Sequence, residues 1–295
     1  MKVGVVDIGT NSMRLLITGT EGEVGRWVEV TGLGRGVDAS GVLDSQAVDR
    51  TIEVLSVFGE TMRREGVDAK AAMATSATRD AGNRDVFLRR ATEALGVAPE
   101  VIGGEREGAL AYAGATAELG AGDWLVSDIG GGSTEFVTDA RVMSIDIGSV
   151  RLTDRHLPHR PAGEDEMSAA TGHVASLFAA VDFTGAVVGV AGTWTTLAAI
   201  DLDLPRYDPQ RTHHHRMSAD AVDEIVNRLA GLTVAETAAI PSMDPGRAPV
   251  ILAGAVVASG VLRHLGAAEL IVSEKDTLDG LATELLGVAW ARDVL

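Results

Sequence analysis

The feature that most constrains this chain is a frame that occurs twice, D-I-G-x-x-S, from Asp7 to Ser12 and again from Asp128 to Ser133. Each copy lies between an apolar run and a segment of alternating polar and apolar residues, in "VVDIGTNSMRLLI" (Val5 to Ile17) and "VSDIGGGSTEF" (Val126 to Phe136). That context reads as strand, tight turn, strand. The second copy holds three consecutive glycines, Gly130, Gly131 and Gly132. Glycine loses more conformational freedom on folding than any other residue, and a hairpin needs only one or two. A turn without Cβ atoms has a different use: successive backbone N–H groups can approach an anion and form a nest for it. A third "DIG", Asp146 to Gly148, is followed by "SVRLTDRHL". It reads as a strand end leading into a helix, with a structural aspartate.

The rest of the chain repeats one plan. Residues 2–31 read as three short strands, then a Gly-rich loop from Gly32 to Gly41, then a helix through "LDSQAVDRTIEVLSVFGETMRREG". The strand "AKAAMATS", the helix "RDVFLRRATEALG", the short strand "EVIGG" and the helix "EREGALAYAGATAEL" complete the first half. "GAGD", Gly120 to Asp123, punctuates the chain, and a second strand–turn–strand follows. Then come the buried strand "AVVGVAG" ending at Gly192, the helix "TWTTLAA", a polar loop, two helical stretches, the strand "AELIVS" and a last helix from about Asp276. Strands alternating with helices indicate α/β domains. The reading is two similar α/β domains, 1–118 and 119–295, each opening on a β-turn-β that presents an acid.

Composition narrows the chemistry. Without cysteine, disulfides, thiol nucleophiles and thiolate metal sites are excluded. A net charge of −17 argues against nucleic acid or an anionic membrane as partner by bulk attraction. It leaves room for an anionic substrate, because a site responds to its local field and to any bound cation. The opening "MKVGVVDIG" has no signal layout, and no stretch approaches a membrane span. A cytoplasmic location is the expectation.

An aspartate directly beside a phosphate would repel it unless a cation lay between them. Asp7 and Asp128 at the mouths of two such loops therefore suggest Mg²⁺ joining carboxylate to phosphate oxygen, with Mn²⁺ as the alternative ion. The hydroxyls of Thr10, Ser12, Ser133 and Thr134 can add donors.

"DIGTNSMRLLI" and "DIGGGSTEF" resemble the two phosphate loops of the actin–hexokinase–heat-shock-chaperone superfamily. Within it the chain is similar to the exopolyphosphatase/guanosine-pentaphosphate phosphohydrolase (Ppx/GppA) family. "ATSATRDAGN", "VIGGEREGALAYAG", "SIDIGSVRLTDRHL", "GVAGTWTTLAA" and "AGAVVASGVL" match it in order, over nearly the whole chain. The resemblance implies two actin-like (ribonuclease-H-like) α/β domains with an interdomain cleft, and often a homodimer; two loops in separate halves lead to the expectation of closure about a hinge near Gly120 to Gly122. It implies Glu107 as the acid that orients or deprotonates the attacking water, with Glu105 excluded. It implies Asp128, Gly130, Gly131, Gly132, Ser133 and Glu135 as the second loop, Asp128 and Glu135 lying near metal and water. Thr10, Asn11 and Ser12 match the first loop, Asp7 its acidic member, and Arg79 a phosphate-binding arginine at a helix start, where anions are favoured.

Each residue has a plainer rival. A glutamate in a first helical turn often complements the helix dipole, and Arg79 could equally serve a surface ion pair. His213, His214 and His215 invite a metal reading, but three adjacent residues cannot readily face one ion. "GEDEM", Gly163 to Met167, reads as a solvated helix start. Asp279 stands where the family usually has arginine, which puts a substrate contact there in doubt. The expected activity is Mg²⁺-dependent release of orthophosphate from inorganic polyphosphate, in a short two-domain form. Guanosine pentaphosphate 5′-phosphohydrolase and a low-turnover nucleotide-binding regulator are the alternatives. A kinase fits less well, because no acceptor-sugar site is evident.

Overall fold

The computed structural model describes residues 1–287. The chain divides into two compact units, Met1–Gly114 with the segment from Asp276, and Ala115–Lys275. The first unit opens with β1 (Lys2–Ile8), β2 (Ser12–Gly19) and β3 (Gly22–Val30). The short helix α1 (Val37–Ser40) and the long helix α2 (Ser45–Arg64) come next. Then follow β4 (Ala69–Ala74), α3 (Ser76–Asp80), α4 (Arg84–Leu95), β5 (Glu100–Val101) and α5 (Gly104–Thr116). The second unit holds β6 (Trp124–Ile129), β7 (Thr134–Val137), β8 (Val142–Ile145), α6 (Ser149–His156), α7 (Glu164–Phe178), β9 (Ala186–Val190) and α8 (Ala191–Asp201). It continues through α9 (Pro209–Thr212), β10 (Arg216–Ser218), α10 (Ala219–Ala230), α11 (Val234–Ala238), α12 (Ile251–Leu265) and β11 (Glu269–Val272). The last described helix, α13 (Thr277–Leu285), belongs to the first unit.

The repeated frame is a repeated topology. The first sheet has the order β3-β2-β1-β4-β5 and the second β8-β7-β6-β9-β11-β10. In each, the first three strands pair antiparallel and the next two pair parallel. The second sheet adds β10, antiparallel, at its edge. Parallel strands demand helical crossovers, which is why helices alternate with strands through both units.

Period-two alternation assigns each strand's faces. Along β1 and β2, Val6, Ile8, Met13, Leu15 and Ile17 enter one core with Leu55, Phe58 and Phe87. Val3, Val5 and Leu16 enter the opposite one with Leu110, Leu278 and Ala282. In the second unit Leu125, Ile129 and Phe136 face a core built around Trp194 and the apolar helix α12. Helix ends follow the sequence: Asp44 caps α2 through its side chain, and Gly96 and Gly266, both with positive φ, close α4 and α12.

The structure corrects the expected domain limits. The sequence reading assigns α13 to the second domain, yet Leu278 and Ala282 bury themselves against β1, β2 and α5 of the first unit. An amphipathic stripe fixes that a helix must pack, not on which sheet. The Gly-rich loop contains α1, and α8 starts at Ala191, one residue before Gly192, with Ala191 at φ 67°.

Candidate active site

In the first hairpin Asp7 on β1 stands opposite Arg14 on β2. Alternation puts both on the face covered by α5 and α13. Arg14 Nε and Nη2 donate to Asp7 Oδ2 at 2.9 and 2.6 Å, and Nη1 donates to Asp276 Oδ2. Asp7 is 4% exposed, and its Oδ1 is buried without a hydrogen bond. Burial pushes this carboxyl above the usual carboxylate range, and Arg14 acts against that push.

The turn that follows is held by its carbonyls. Gly9 N–H donates to Ser12 O at 3.1 Å; Thr10 O accepts from Gly34 N, and Asn11 O from the amides of Thr31 and Gly32. The backbone N–H groups of Thr10 and Asn11 donate to no group among the described residues. A Cβ on Gly34 would lie 2.3 Å from Thr10 Cγ2, so glycine is what lets the segment after β3 press on the loop.

The second hairpin repeats the arrangement. Gly130 N–H donates to Ser133 O at 3.0 Å. Gly130 O accepts from Ser149 N, Gly131 O from the amides of Val150 and Arg151, and Gly132 O from Arg151 Nε at 2.8 Å. The amides of Gly131, Gly132 and Ser133 donate to no group among the described residues. Carbonyls tied back and amides left over are what an anion-binding turn requires. The third "DIG" supports this turn from outside. Its Gly148 sits where a Cβ would come within 2.7 Å of the Gly130 and Gly131 carbonyl oxygens. It is the counterpart of Gly34, on the segment after the third strand of its sheet.

Opposite Asp128, at 4% exposure, the register places Glu135, at 1%. Glu135 Oε1 accepts from Ser144 Oγ at 2.7 Å. The two hairpins have thus diverged: the position seven residues after the aspartate is Arg14 in one and Glu135 in the other. Two hydroxyls assigned to phosphate are committed elsewhere. Thr134 is fully buried and donates to Ile147 O at 2.6 Å, so it fastens the hairpin to the segment after β8. Thr10 Oγ1 meets Ser76 Oγ at 2.8 Å and accepts from Ala77 N, which locks the first loop to α3.

Arg79 lies in the last turn of the five-residue helix α3, not at a helix start. Its Nη1 donates to Ile102 O at 3.2 Å, just ahead of α5, and its Nε stands 3.8 Å from Asp80 Oδ1. Glu107 lies in the first turn of α5, half-buried, whereas Glu105 is exposed. Asp7, Thr10, Asn11, Ser12, Arg79 and Glu107 thus belong to the first unit, and Asp128, Gly130 to Thr134 and Glu135 to the second.

Sequence reasoning did not single out Arg14, Gly34, Asp276, Gly148 or Arg151. Arg14 was within reach, because the two frames have one turn length and so one register. Asp276 was not, since it lies 262 residues from its partner. Asp279 is explained by its surroundings. It accepts from Asp276 N–H in the capping box of α13 and pairs with Arg26 of β3 at 2.8 Å.

The histidines sort into carboxylate partners. His213 Nε2 lies 3.0 Å from Glu118 Oε2, and His215 Nε2 lies 2.6 Å from Asp201 Oδ2. Glu118, His213 and His214 offer ligand atoms within 4.8 Å of one another. However, His213 Nδ1 accepts from Glu274 N–H, which places the ring proton on Nε2, facing Glu118. That hydrogen bond draws the Glu118 carboxyl below its ordinary range. An ion at Nε2 would need the other tautomer and the loss of the Glu274 bond.

The other acids suit a hard cation. Asp7 Oδ1 is a buried oxygen with no hydrogen bond, and Asp128 and Glu135 are buried carboxylates directly across a strand pair. An oxygen-only set of this kind fits Mg²⁺ or Mn²⁺.

Two sheets of one topology, each opening on a hairpin with an acid at its turn, define a protein of two actin-like α/β domains. The chain belongs to the Ppx/GppA phosphatase family, whose model matches residues 22–287. It is 38% identical to "Exopolyphosphatase 2" of Mycobacterium tuberculosis, over 97% of this chain and 99% of that protein. Among solved structures it is similar to an exopolyphosphatase-like protein, with a TM-score of 0.90 and 32% identity over 98% and 99% of the two chains. It is also similar to the Aquifex aeolicus family member, with a TM-score of 0.82 and 30% identity over 99% of each chain.

Proposed function

We propose that this phosphatase is an exopolyphosphatase, which cleaves the terminal phosphoanhydride bond of inorganic polyphosphate and releases orthophosphate with Mg²⁺. The observation that carries the reading is the pair of hairpins whose carbonyls are bonded inward and whose amides are left over. The name of the mycobacterial relative, matched over almost its full length, supports the choice of substrate. The amides of Thr10, Asn11, Gly131, Gly132 and Ser133 receive phosphate oxygens, with the hydroxyls of Ser12 and Ser133 beside them. Arg79 adds a guanidinium, suited to phosphate by its paired donors. Glu107 holds a water in line with the scissile bond and accepts its proton. Asp7 of the first hairpin, and Asp128 and Glu135 of the second, are the candidate ligands for the metal ion, which when bound would neutralise phosphate charge. The assembly is proposed to be a homodimer, which analytical ultracentrifugation checks.

Orthophosphate release from long polyphosphate, tripolyphosphate, pppGpp and ATP, each with Mg²⁺ and in parallel, tests the assignment. Polyphosphate should give the highest kcat/KM. A preference for pppGpp would move the chain to guanosine pentaphosphate hydrolysis. Turnover of none of the four would leave a nucleotide-binding regulator.

A further inference from the structure

Helix α13 follows the last strand of one unit and packs into the other with an unusual set of partners. Each of three carboxylates, at or just after its start and near its end, pairs with an arginine of a different element. Asp276 takes Arg14 of β2, Asp279 takes Arg26 of β3, and Glu284 takes Arg106 of α5. The Arg106 pair is two-pronged, with Nη1 on Oε1 at 2.7 Å and Nη2 on Oε2. Backbones also meet without side chains between them. A Cβ on Gly114 of α5 would lie 2.0 Å from Asp276 O, and one on Gly280 of α13 would lie 2.2 Å from Leu110 O of α5. Both glycines are therefore needed for α5 and α13 to lie this close.

Two of the three pairs end beside the proposed chemistry. Arg14 is the residue that binds Asp7, using two donors on Oδ2 and leaving Oδ1 without a hydrogen bond. Asp276 takes the third nitrogen, so the guanidinium is clamped between two carboxylates in a planar fork that lysine could not reproduce. Arg106 immediately precedes Glu107 in the first turn of α5. The third pair, Arg26 with Asp279, lies on β3, away from both acids in the chain and in the sheet order.

We propose that α13 is a positioning brace for the two acids of the first unit: Asp276 orients Asp7 through Arg14, and Glu284 sets the first turn of α5, and with it Glu107, through Arg106. The inference rests on the roles given to Asp7 and Glu107 above. Asp276, Arg14, Glu284 and Arg106 are positioning residues, since they act through those two.

The experiment compares Asp276→Asn, Glu284→Gln, the charge swap Arg106→Glu with Glu284→Arg, and Arg26→Gln in the full chain. Each is measured for melting temperature, for kcat and KM with polyphosphate, and for Mn²⁺ binding by electron paramagnetic resonance without substrate. Asparagine still caps the helix, so Asp276→Asn should fold; it should lower kcat at least tenfold and weaken Mn²⁺ binding. Glu284→Gln should lower kcat several-fold at unchanged KM, and the swap should restore most of it. Arg26→Gln should lower the melting temperature alone. Wild-type kcat and Mn²⁺ affinity in both Asp276→Asn and Glu284→Gln would overturn the brace. So would losses in Arg26→Gln equal to theirs, because the effect would then be stability alone. If wild type turns over no phosphoanhydride, the functional reading fails, and unchanged or weakened Mn²⁺ binding in Asp276→Asn still decides the brace.

Discussion

Replacing Gly148 with alanine should displace the turn from Gly130 to Ser133. The backbone of Gly148 is extended, at φ −158° and ψ −178°, so alanine meets no conformational penalty there. It even gains about 0.4–1 kcal/mol from a less flexible unfolded chain. Against this, the new methyl would lie 2.6 Å from Gly131 C and 2.7 Å from the carbonyl oxygens of Gly130 and Gly131. These are backbone atoms, so neither side can swing away. Relieving such overpacking costs about 1–3 kcal/mol. It also strains the bonds from Ser149, Val150 and Arg151 N–H to the loop carbonyls, each worth about 0.5–1.5 kcal/mol. The net expectation is about 1–2 kcal/mol of destabilisation, a fall of about 2–8 °C in melting temperature for a unit of this size. Because the moved atoms are the proposed phosphate cradle, kcat should fall by roughly 10²-fold, the cost of an ångström-scale misplacement. Gly172 in α7 is the control: no heavy atom lies within 4 Å of a Cβ there. Gly172→Ala should stabilise by about 0.5–1 kcal/mol, as in any helix interior, without loss of turnover. A Gly148→Ala protein with wild-type melting and turnover would refute the tight seat of the segment after β8 on the loop.

Glu107→Gln should lower kcat by roughly 10²–10⁴, the range of a general base, with KM little changed, while Glu105→Gln stays near wild type in the same phosphate-release assay. Activity should vanish in excess EDTA and return with Mg²⁺ or Mn²⁺; turnover that survives exhaustive chelation would remove the metal from the scheme. Glu118 gives a pH prediction. His213 holds its carboxyl below the ordinary value, so its contribution to stability is present above the unfolded carboxylate pKa and is lost as pH falls through the lower, folded one. Glu118→Gln should therefore melt slightly below wild type at pH 7, by no more than an exposed pair is worth, and the two curves should converge in acid.

Local physics made the hairpins legible. An apolar run, a glycine turn and an alternating strand need only neighbours to form, so Asp7, Asp128 and the three glycines could be read directly from the chain. Equal turn lengths also fix equal registers, which places Arg14 where Glu135 stands in the other copy. The uses of individual side chains were harder to see. Thr10 and Thr134 carry hydroxyls suited to phosphate, yet buried hydroxyls take the nearest acceptor, and Ser76 and Ile147 lie closer to hand. Gly148 looked like part of a third acid motif, whereas its role is to have no side chain against Gly131.

Only tertiary structure decided where the last helix goes. The capping box at Asp276 and the apolar face of Leu278 and Ala282 establish a helix that must bury one side. Nothing local distinguishes the sheet just finished at β11 from the one begun at β1. The choice is made by close packing of Gly280 on Leu110 and Gly114 on Asp276, and by three arginines from β2, β3 and α5. Those partners are remote in sequence, and hydrophobic periodicity carries no information about which distant surface matches a helix face.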